Sequence, residues 1–210
     1  MKENGTLVAD LLLQIKSIKL DPANPFKWAS GWNSPIYCDN RKTLSFPKVR
    51  NFIKNEFSEI IREKYPDVEV IAGVATGAIA IGVLVADILD LPFVYVRPKP
   101  KDHGMGNQIE GTLLPGQKVV VVEDLISTGG SSLKAVAALR EAQSEVLGMV
   151  AIFSYKFPLA EENFAKNNCE LTTLSNYPVL IDLAVDSGLV SEDQLETLKK
   201  WRKDPGSWTP

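Results

Sequence analysis

The feature that most constrains this chain is the segment from Val119 to Ser132, which reads VVVVEDLISTGGSS. Its first four residues, Val119 to Val122, form the continuous apolar run that is typical of a strand buried on both faces of a parallel sheet. A turn of small polar residues follows, and a helical pattern begins near Ser131. Strand, turn and helix in this order predict an α/β protein whose turn lies beyond the carboxyl end of the strand, where such sheets bind ligands.

The turn has the composition of a phosphate-binding loop. The run from Thr128 through Gly129 and Gly130 to Ser131 can direct backbone N–H groups toward one point, because glycine permits tight curvature and close approach. The helix that follows adds the positive end of its dipole, and hydroxyl groups, including that of Ser127, are further donors. We therefore predict a site for a phosphate monoester. The Walker A and G-x-G-x-x-G patterns are both absent.

Two carboxylates, Glu123 and Asp124, separate the strand from the turn. Their charge does not suit a phosphate, but carboxylates accept hydrogen bonds from paired hydroxyl groups, directly or through a metal ion. A ribose 5-phosphate would therefore place its phosphate on the turn and its diol on the acids. The alternative is an ordinary strand–turn–helix junction with exposed acids. The combination of strand, acid pair and small turn favours the ligand site.

The rest of the chain alternates strand and helix patterns. Further strands are predicted at 68–74, 92–96 and 145–154, and helices at 6–18, 47–64, 77–89, 131–142, 159–166 and 191–203. This alternation predicts right-handed crossovers and a central, mainly parallel sheet flanked by helices. Residues 21–41, rich in Pro, Asn, Gly and aromatic residues, favour an irregular loop or short strands. We expect residues 1–210 to form a single domain.

Residues 97–117 have neither a helical nor a strand period, and long loops in compact domains are usually functional. Four basic side chains lie within seven residues of this loop: Arg97, Lys99, Lys101 and His103. Such local charge in an acidic protein predicts an anionic ligand, for which pyrophosphate is the candidate because its developing charge needs compensation. A chain's only histidine is more often structural, but in this loop we expect His103 to contact a phosphate or transfer a proton.

Composition narrows the expected partners and compartment. The net charge of −3 and pI near 5.3 argue against a nucleic-acid-binding surface, which is normally basic. The two cysteines, Cys38 and Cys169, predict neither a disulfide framework nor a zinc site. No secretory signal is visible, and no apolar run approaches the roughly 20 residues of a membrane span. We expect a cytoplasmic protein without nucleic-acid or membrane partners.

The segment VVVVEDLISTGGSS closely resembles the signature of the type I phosphoribosyltransferases, which bind 5-phosphoribosyl 1-diphosphate (PRPP). Three other windows resemble the orotate-specific members of that family: FKWASGWNSPIYCDNR at 26–41, VIAGVATGAIAIG at 70–82 and VRPKPKDHGMGNQIEG at 96–111. A purine or uracil phosphoribosyltransferase would share the turn but should differ over residues 26–41. A regulator of the same fold that binds RNA or DNA should have the basic surface that this composition lacks.

The resemblance implies transfer of a phosphoribosyl group from PRPP to orotate, with Mg²⁺ held mainly by diphosphate, ribose and water. It implies a hood built from residues 1–41 and the C-terminal part, and a homodimer in which the loop 97–106 reaches the other subunit's site. The implied PRPP-binding residues are Arg97, Lys101, His103, Glu123, Asp124, Leu125, Ile126, Ser127, Thr128, Gly129, Gly130 and Ser131. The implied catalytic residues are Asp124, Lys101 and His103, and the implied orotate-binding residues are Ser127, Ile36 and Tyr37.

At four positions the chain departs from the pattern of that family. Some orotate enzymes carry a lysine where this chain has Ala29, Gly77 and Pro98, and an arginine where it has Tyr155. Two residues are open as replacements for the missing arginine: Tyr155 itself and the adjacent Lys156. These departures change individual contacts and leave the implied reaction class unchanged, because the acid pair, the turn and the basic loop are all present.

Overall fold

The computed structural model describes residues 2–28, 31–99 and 108–209. Its strands are β1 (Ile18–Leu20), β2 (Phe26–Lys27), β3 (Asn33–Ser34), β4 (Ile36–Cys38), β5 (Val70–Val74), β6 (Phe93–Val96), β7 (Ile109–Glu110), β8 (Lys118–Ile126), β9 (Glu145–Ser154) and β10 (Leu171–Asn176). Its helices are α1 (Lys2–Gln14), α2 (Pro47–Lys64), α3 (Ile79–Leu89), α4 (Gly130–Glu141), α5 (Pro158–Lys166), α6 (Tyr177–Asp186) and α7 (Glu192–Lys203), with a 3₁₀ helix at Asn40–Ser45.

The central sheet has the order β10-β9-β8-β5-β6-β7, in which only β7 runs antiparallel to its neighbour. The apolar run of β8 is fully buried, and its alternate side chains enter two separate cores. Val120 and Val122 pack in the core that contains α2 and α3, whereas Val119 and Val121 pack with α4 and α5. This follows from the two-residue period of a strand. The predicted mainly parallel sheet with helices on both faces is confirmed.

The acid pair continues β8 rather than following it, because the strand extends to Ile126. The same two-residue period therefore directs Glu123 and Asp124 to opposite faces of the sheet. Glu123 turns toward α4, and Asp124 turns toward the residues that precede α3. Two neighbouring carboxylates of similar chemistry thus enter different surroundings.

Besides the end of β8, three parts of the sequence prediction need correction. The first is that strand β7 lies within 97–117, which was predicted to have no strand period. The predicted helix at 6–18 ends at Gln14, because Lys16 adopts a left-handed conformation (φ 55°) and Ile18 begins β1. Strand β10 and helix α6 were not predicted. They follow each other without a loop, since the side chain of Asn176 caps the helix by accepting a hydrogen bond from the N–H of Val179 at 3.2 Å. The other predicted elements agree with the structure within a few residues.

The segment between α1 and α2 packs against the C-terminal helix at the carboxyl edge of the sheet. It contains two antiparallel pairs, β1 with β4 and β2 with β3. The indole of Trp201 on α7 donates to the carbonyl of Asn33 at 3.2 Å, and its ring lies 5.6 Å from Trp28. Helix α7 begins with a capping box formed by Ser191 and Gln194. No helix in the described part of the chain has the length and apolar character to cross a membrane.

Candidate active site

Two cavities adjoin at the carboxyl ends of β5 and β8. The acidic cavity has a volume of about 420 Å³ and is lined by Cys38, Asp39, Arg41, Val74, Ala75, Thr76, Gly77, Glu123, Asp124, Leu125 and Ser131. The aromatic cavity has a volume of about 540 Å³ and is lined by Lys27, Trp28, Trp32, Tyr37, Cys38, Leu125, Ser127, Thr128 and Tyr155. Cys38 and Leu125 belong to both linings, so the cavities share a boundary.

Glu123 is held rigidly at the inner wall of the acidic cavity. Glu123 is only 5% exposed. One of its carboxyl oxygens accepts a hydrogen bond from the N–H of Asp124 at 2.9 Å, and the other accepts one from the hydroxyl of Ser132 at 2.7 Å. Burial and then the charge of Asp124 raise the pKa of Glu123 well above its ordinary range. This carboxyl group is therefore oriented by the protein before any ligand binds.

Asp124 has a different environment. Its carbonyl accepts a hydrogen bond from the side-chain amide of Asn40 at 2.6 Å, which fixes the backbone at this point. Its carboxylate lies directly against Gly77, where an added Cβ would be 2.3 Å from Oδ2. A side chain at position 77 would therefore displace the carboxylate. The glycine that departs from the family pattern is the residue that makes room for Asp124.

Contacts with α5 hold the predicted turn on one side, and its other side is accessible to a ligand. Gly129 has a left-handed conformation (φ 79°), and a Cβ there would approach the ring of Phe164 to 2.7 Å, so the position requires glycine on two grounds. The side-chain amide of Asn163 donates to the carbonyl of Thr128 at 2.9 Å. Within residues 2–28, 31–99 and 108–209, no side chain caps the first turn of α4, which leaves its N–H groups directed at an incoming ligand.

Two predicted site residues place their side chains in the core. Ile126 and Ile36 are both fully buried. The carbonyl of Ile126 accepts from the N–H of Tyr155 at 3.0 Å, and the carbonyl of Ile36 accepts from the indole of Trp28 at 3.1 Å and from the hydroxyl of Ser34 at 2.8 Å. Any contact from these two residues to a ligand is therefore limited to backbone groups. Tyr37, which is 38% exposed, lines the aromatic cavity.

Arg97 lines neither cavity of its own chain. Its backbone forms two hydrogen bonds with Gln108, and its guanidinium lies 3.7 Å from a carboxylate oxygen of Glu110. These contacts hold the arginine at the base of the basic loop. Lys101 and His103 lie outside the described residues.

Sequence reasoning named five residues of the aromatic cavity as site positions (Tyr37, Leu125, Ser127, Thr128 and Tyr155), but it did not single out Lys27, Trp28 and Trp32. Tyr155 lines the cavity and packs against Trp28 at 5.0 Å and Phe157 at 5.4 Å, and burial raises the pKa of its hydroxyl group. Lys156 lines neither cavity, because its ammonium group lies 3.4 Å from Glu161. Of the two open replacements, only Tyr155 therefore contacts the cavity. Lys27 is the one cation among the described residues that line it.

Arg41 was also missed as a site residue, although it stands at the end of the quoted window 26–41. Its Nε donates to Asp39 at 2.7 Å, and this hydrogen bond lowers the pKa of Asp39 and raises that of Arg41. A signal was available in the sequence, because an acid and a base two residues apart follow the short strand β4.

Comparisons with known proteins agree with this geometry. A family model of the phosphoribosyl transferase domain matches residues 42–186, which defines the class of protein. The chain is 61% identical to the orotate phosphoribosyltransferase of Bacteroides thetaiotaomicron over 208 residues, 99% of this chain and 98% of that one. A solved structure of the Aeropyrum pernix orotate phosphoribosyltransferase matches with a TM-score of 0.76 and 26% identity, covering 88% of this chain and 99% of that one.

The fold also matches the UMP synthase of Leishmania donovani with a TM-score of 0.78 at 23% identity. That alignment covers 97% of this chain, which spans only 42% of the longer protein, and the likeness is one of fold. The chain belongs to the orotate phosphoribosyltransferase family of the type I phosphoribosyltransferases. The family resemblance inferred from residues 119–132 and the three other windows is confirmed.

Proposed function

We propose that this chain transfers the phosphoribosyl group of PRPP to orotate, giving orotidine 5′-phosphate and diphosphate in pyrimidine biosynthesis, at the boundary of its two cavities. The observation that carries the proposal is that an acid-lined cavity and an aromatic cavity meet at Leu125, beside an uncapped helix N-terminus. A sugar phosphate and a flat base can then be held next to each other. Such positioning of two reactants supplies a large part of a transfer reaction's rate.

The donor would lie across the acidic cavity. The run Thr128 to Ser131 would bind the 5′-phosphate through backbone N–H groups and the dipole of α4. The ribose diol would face Asp124 and the adjacent Glu123. Departure of diphosphate leaves positive charge on the ribose ring, and the carboxylate of Asp124 would stabilise that charge. No nucleophilic side chain is needed.

Orotate would lie in the aromatic cavity. Trp28 and Trp32 present ring surfaces to a flat pyrimidine, the buried Tyr155 packs behind Trp28, and the hydroxyl of Ser127 offers a hydrogen bond. Orotate also carries a carboxylate that uracil lacks. Lys27, an exposed cation on β2, would bind that group. This assigns to Lys27 the charge that the family pattern places at Tyr155.

Phosphoribosyltransferases generally use Mg²⁺ with PRPP. The acidic cavity suits this ion, because Mg²⁺ prefers carboxylate and phosphate oxygens and retains several waters. Diphosphate, ribose hydroxyls and water would hold it, with Asp124 the partly exposed carboxylate in reach. When bound, the ion neutralises charge on the leaving diphosphate.

The remaining assignments concern larger-scale organisation. We propose that residues 1–41 and the C-terminal part form a hood over the aromatic cavity, which the contact between Trp28 and Trp201 supports. Lys101 and His103 would act at the diphosphate of the other subunit in a homodimer, and the position of Arg97 outside its own cavities favours this arrangement. Free cysteines suit the reducing cytoplasm.

Release of pyrophosphate that depends on orotate tests the reaction directly. The full chain is incubated with PRPP and with orotate, uracil, adenine or hypoxanthine in turn, with and without Mg²⁺. We expect rapid release only with orotate and Mg²⁺. Faster turnover of uracil or of a purine would overturn the assignment of the base.

A further inference from the structure

We infer that Arg41 binds the diphosphate of PRPP and is the cation that the chain supplies to its own acidic cavity. This rests on the proposed function and goes beyond it, because the charge pattern of the sequence assigned pyrophosphate to the basic loop that contains Arg97, Lys99, Lys101 and His103.

The charges that line the acidic cavity create the need for such a residue. Three carboxylates border it: Asp39, Glu123 and Asp124. A diphosphate that enters must approach these groups, and like charges at short range repel strongly where water is excluded. Among the lining residues that the structure describes, Arg41 is the only cation. Bound Mg²⁺ can offset part of the repulsion, and Arg41 would offset a further part.

Arg41 is suitably oriented for this contact. Asp39 accepts a hydrogen bond from Nε at 2.7 Å, so this partner occupies one edge of the guanidinium and leaves the terminal nitrogens on the other edge. That edge matches two phosphate oxygens in a bidentate contact. The Arg41 side chain is 60% exposed, whereas that of Asp39 is 19% exposed, so a ligand can reach the arginine while its partner stays anchored.

The segment around Arg41 is hydrogen-bonded to β8, the strand that carries Asp124. The neighbouring Asn40 donates to the carbonyl of Asp124 at 2.6 Å, and the side-chain carbonyl of Asn40 accepts from Ser17 at 3.1 Å. The hydroxyl of Thr43 closes the 3₁₀ turn on the carbonyl of Asn40 at 2.6 Å. The backbone that carries Arg41 is therefore held close to that of Asp124, which favours a group that meets a leaving anion beside a reacting sugar.

The loop from Val74 to Gly77, which also lines the cavity, does not supply the cation. A side chain at position 77 would collide with the carboxylate of Asp124. A lysine in that place would displace Asp124 from the ribose site. Backbone N–H groups of this loop and the guanidinium of Arg41 would together bind the diphosphate.

The test uses the full chain with Arg41→Gln and Arg41→Lys. We expect Arg41→Gln to raise the KM for PRPP, and the KM for pyrophosphate in the reverse reaction, by about tenfold to a hundredfold, because the substitution removes a charge-assisted hydrogen bond. Binding of ribose 5-phosphate, which has no diphosphate, should change less than about twofold on that basis. Arg41→Lys should recover part of the affinity. Arg62→Gln, which removes an exposed guanidinium paired with Glu59 on α2, is the matched control and should leave all three values unchanged.

The outcomes separate this inference from the proposed function. If the unmodified chain releases no pyrophosphate with orotate, the proposed function fails. If that chain is active but Arg41→Gln leaves the KM values for PRPP and pyrophosphate unchanged, the assignment of Arg41 is wrong. If Arg41→Gln weakens the binding of ribose 5-phosphate and of pyrophosphate equally, Arg41 acts through the structure of the cavity. That result would also overturn the assignment of Arg41. Asp39→Asn provides a second variant, with a smaller rise in the KM for PRPP expected because the guanidinium loses its anchor.

Discussion

The acidic and aromatic cavities share a boundary at Leu125 but are built from different parts of the chain. The acidic cavity takes its floor from β8 and the first turn of α4, which are contiguous in sequence and packed in the central core. The aromatic cavity takes its walls mainly from the segment 27–38, whose strands are only two or three residues long, and from Tyr155, more than a hundred residues away. Leu125 and residues of the turn after β8 complete its lining.

This difference between the two cavities corresponds to the different contacts that recognise a phosphate and a base. A phosphate is recognised by backbone N–H groups and a helix dipole, which require a rigid local motif. A substituted base is recognised by ring surfaces and one or two polar contacts, which side chains on short segments can supply. We therefore expect substitutions at the acidic cavity to affect the chemical step, and substitutions at the aromatic cavity to affect the choice and affinity of the base.

The largest effect is expected for Asp124→Asn. This substitution keeps the size of the side chain and removes the charge that would stabilise the ribose ring, so kcat should fall by about a hundredfold or more while thermal stability changes little. Steady-state kinetics with both substrates measure the effect, and Asp87→Asn on the exposed side of α3 is the control. A variant with nearly normal kcat would remove Asp124 from the mechanism.

Gly77→Ala tests the packing of the same carboxylate without changing its charge. The added methyl group would lie 2.3 Å from Oδ2 of Asp124, and the carboxylate is the flexible partner, so it should move. We expect kcat to fall by about tenfold to a hundredfold, as misplacement of a catalytic group by about 1 Å does. Gly116→Ala is the matched control. It has a left-handed conformation (φ 84°) and no atom within 4 Å of an added Cβ, so it should lower the melting temperature and leave kcat unchanged.

The contrast between the cavities also explains which features could be predicted from the sequence. Val119–Val122 and the turn at Gly129 act through local backbone rules, so the strand, the turn and the fold class followed from composition and order. The opposite directions of Glu123 and Asp124 were accessible in principle, because a strand alternates. They were missed because the strand was predicted to end at Val122. Lys27 was missed because its relation to β8 arises only from tertiary packing. For Arg41 the acid and base two residues apart were visible in the sequence, but their position beside β8 was not.

At the aromatic cavity, Lys27→Ala should change affinity for one substrate only. Loss of the cation opposite the orotate carboxylate should raise the KM for orotate by about tenfold, equivalent to roughly 1.4 kcal/mol, with the KM for PRPP unchanged. Inhibition by uracil, which has no carboxylate, should be unaffected. Lys166→Ala removes an exposed lysine on α5 that pairs with Glu162, and serves as the control. Equal increases in both KM values would place Lys27 outside the base site.

The smallest effect concerns stability rather than rate, and it arises from the burial of Glu123. Because burial and the neighbouring Asp124 raise its pKa in the folded state, the folded chain binds this proton more tightly than the unfolded chain does. The contribution of Glu123 to stability is therefore complete below its unfolded pKa, near 4.5, and is lost as pH rises through the raised folded value. Glu123→Gln removes this dependence.

We expect Glu123→Gln to raise the melting temperature by a few degrees at pH 8 relative to the unsubstituted chain, and by less at pH 5. Paired thermal unfolding curves at the two pH values measure the difference, and Glu162→Gln on the surface of α5 should show no such change. A fall in melting temperature at pH 8 would mean that the hydrogen bonds from Ser132 and from the N–H of Asp124 outweigh the cost of burying the charge. The acidic cavity would then be stabilised by its ionised acids rather than strained by them, and its rigidity would depend on charge as well as on backbone.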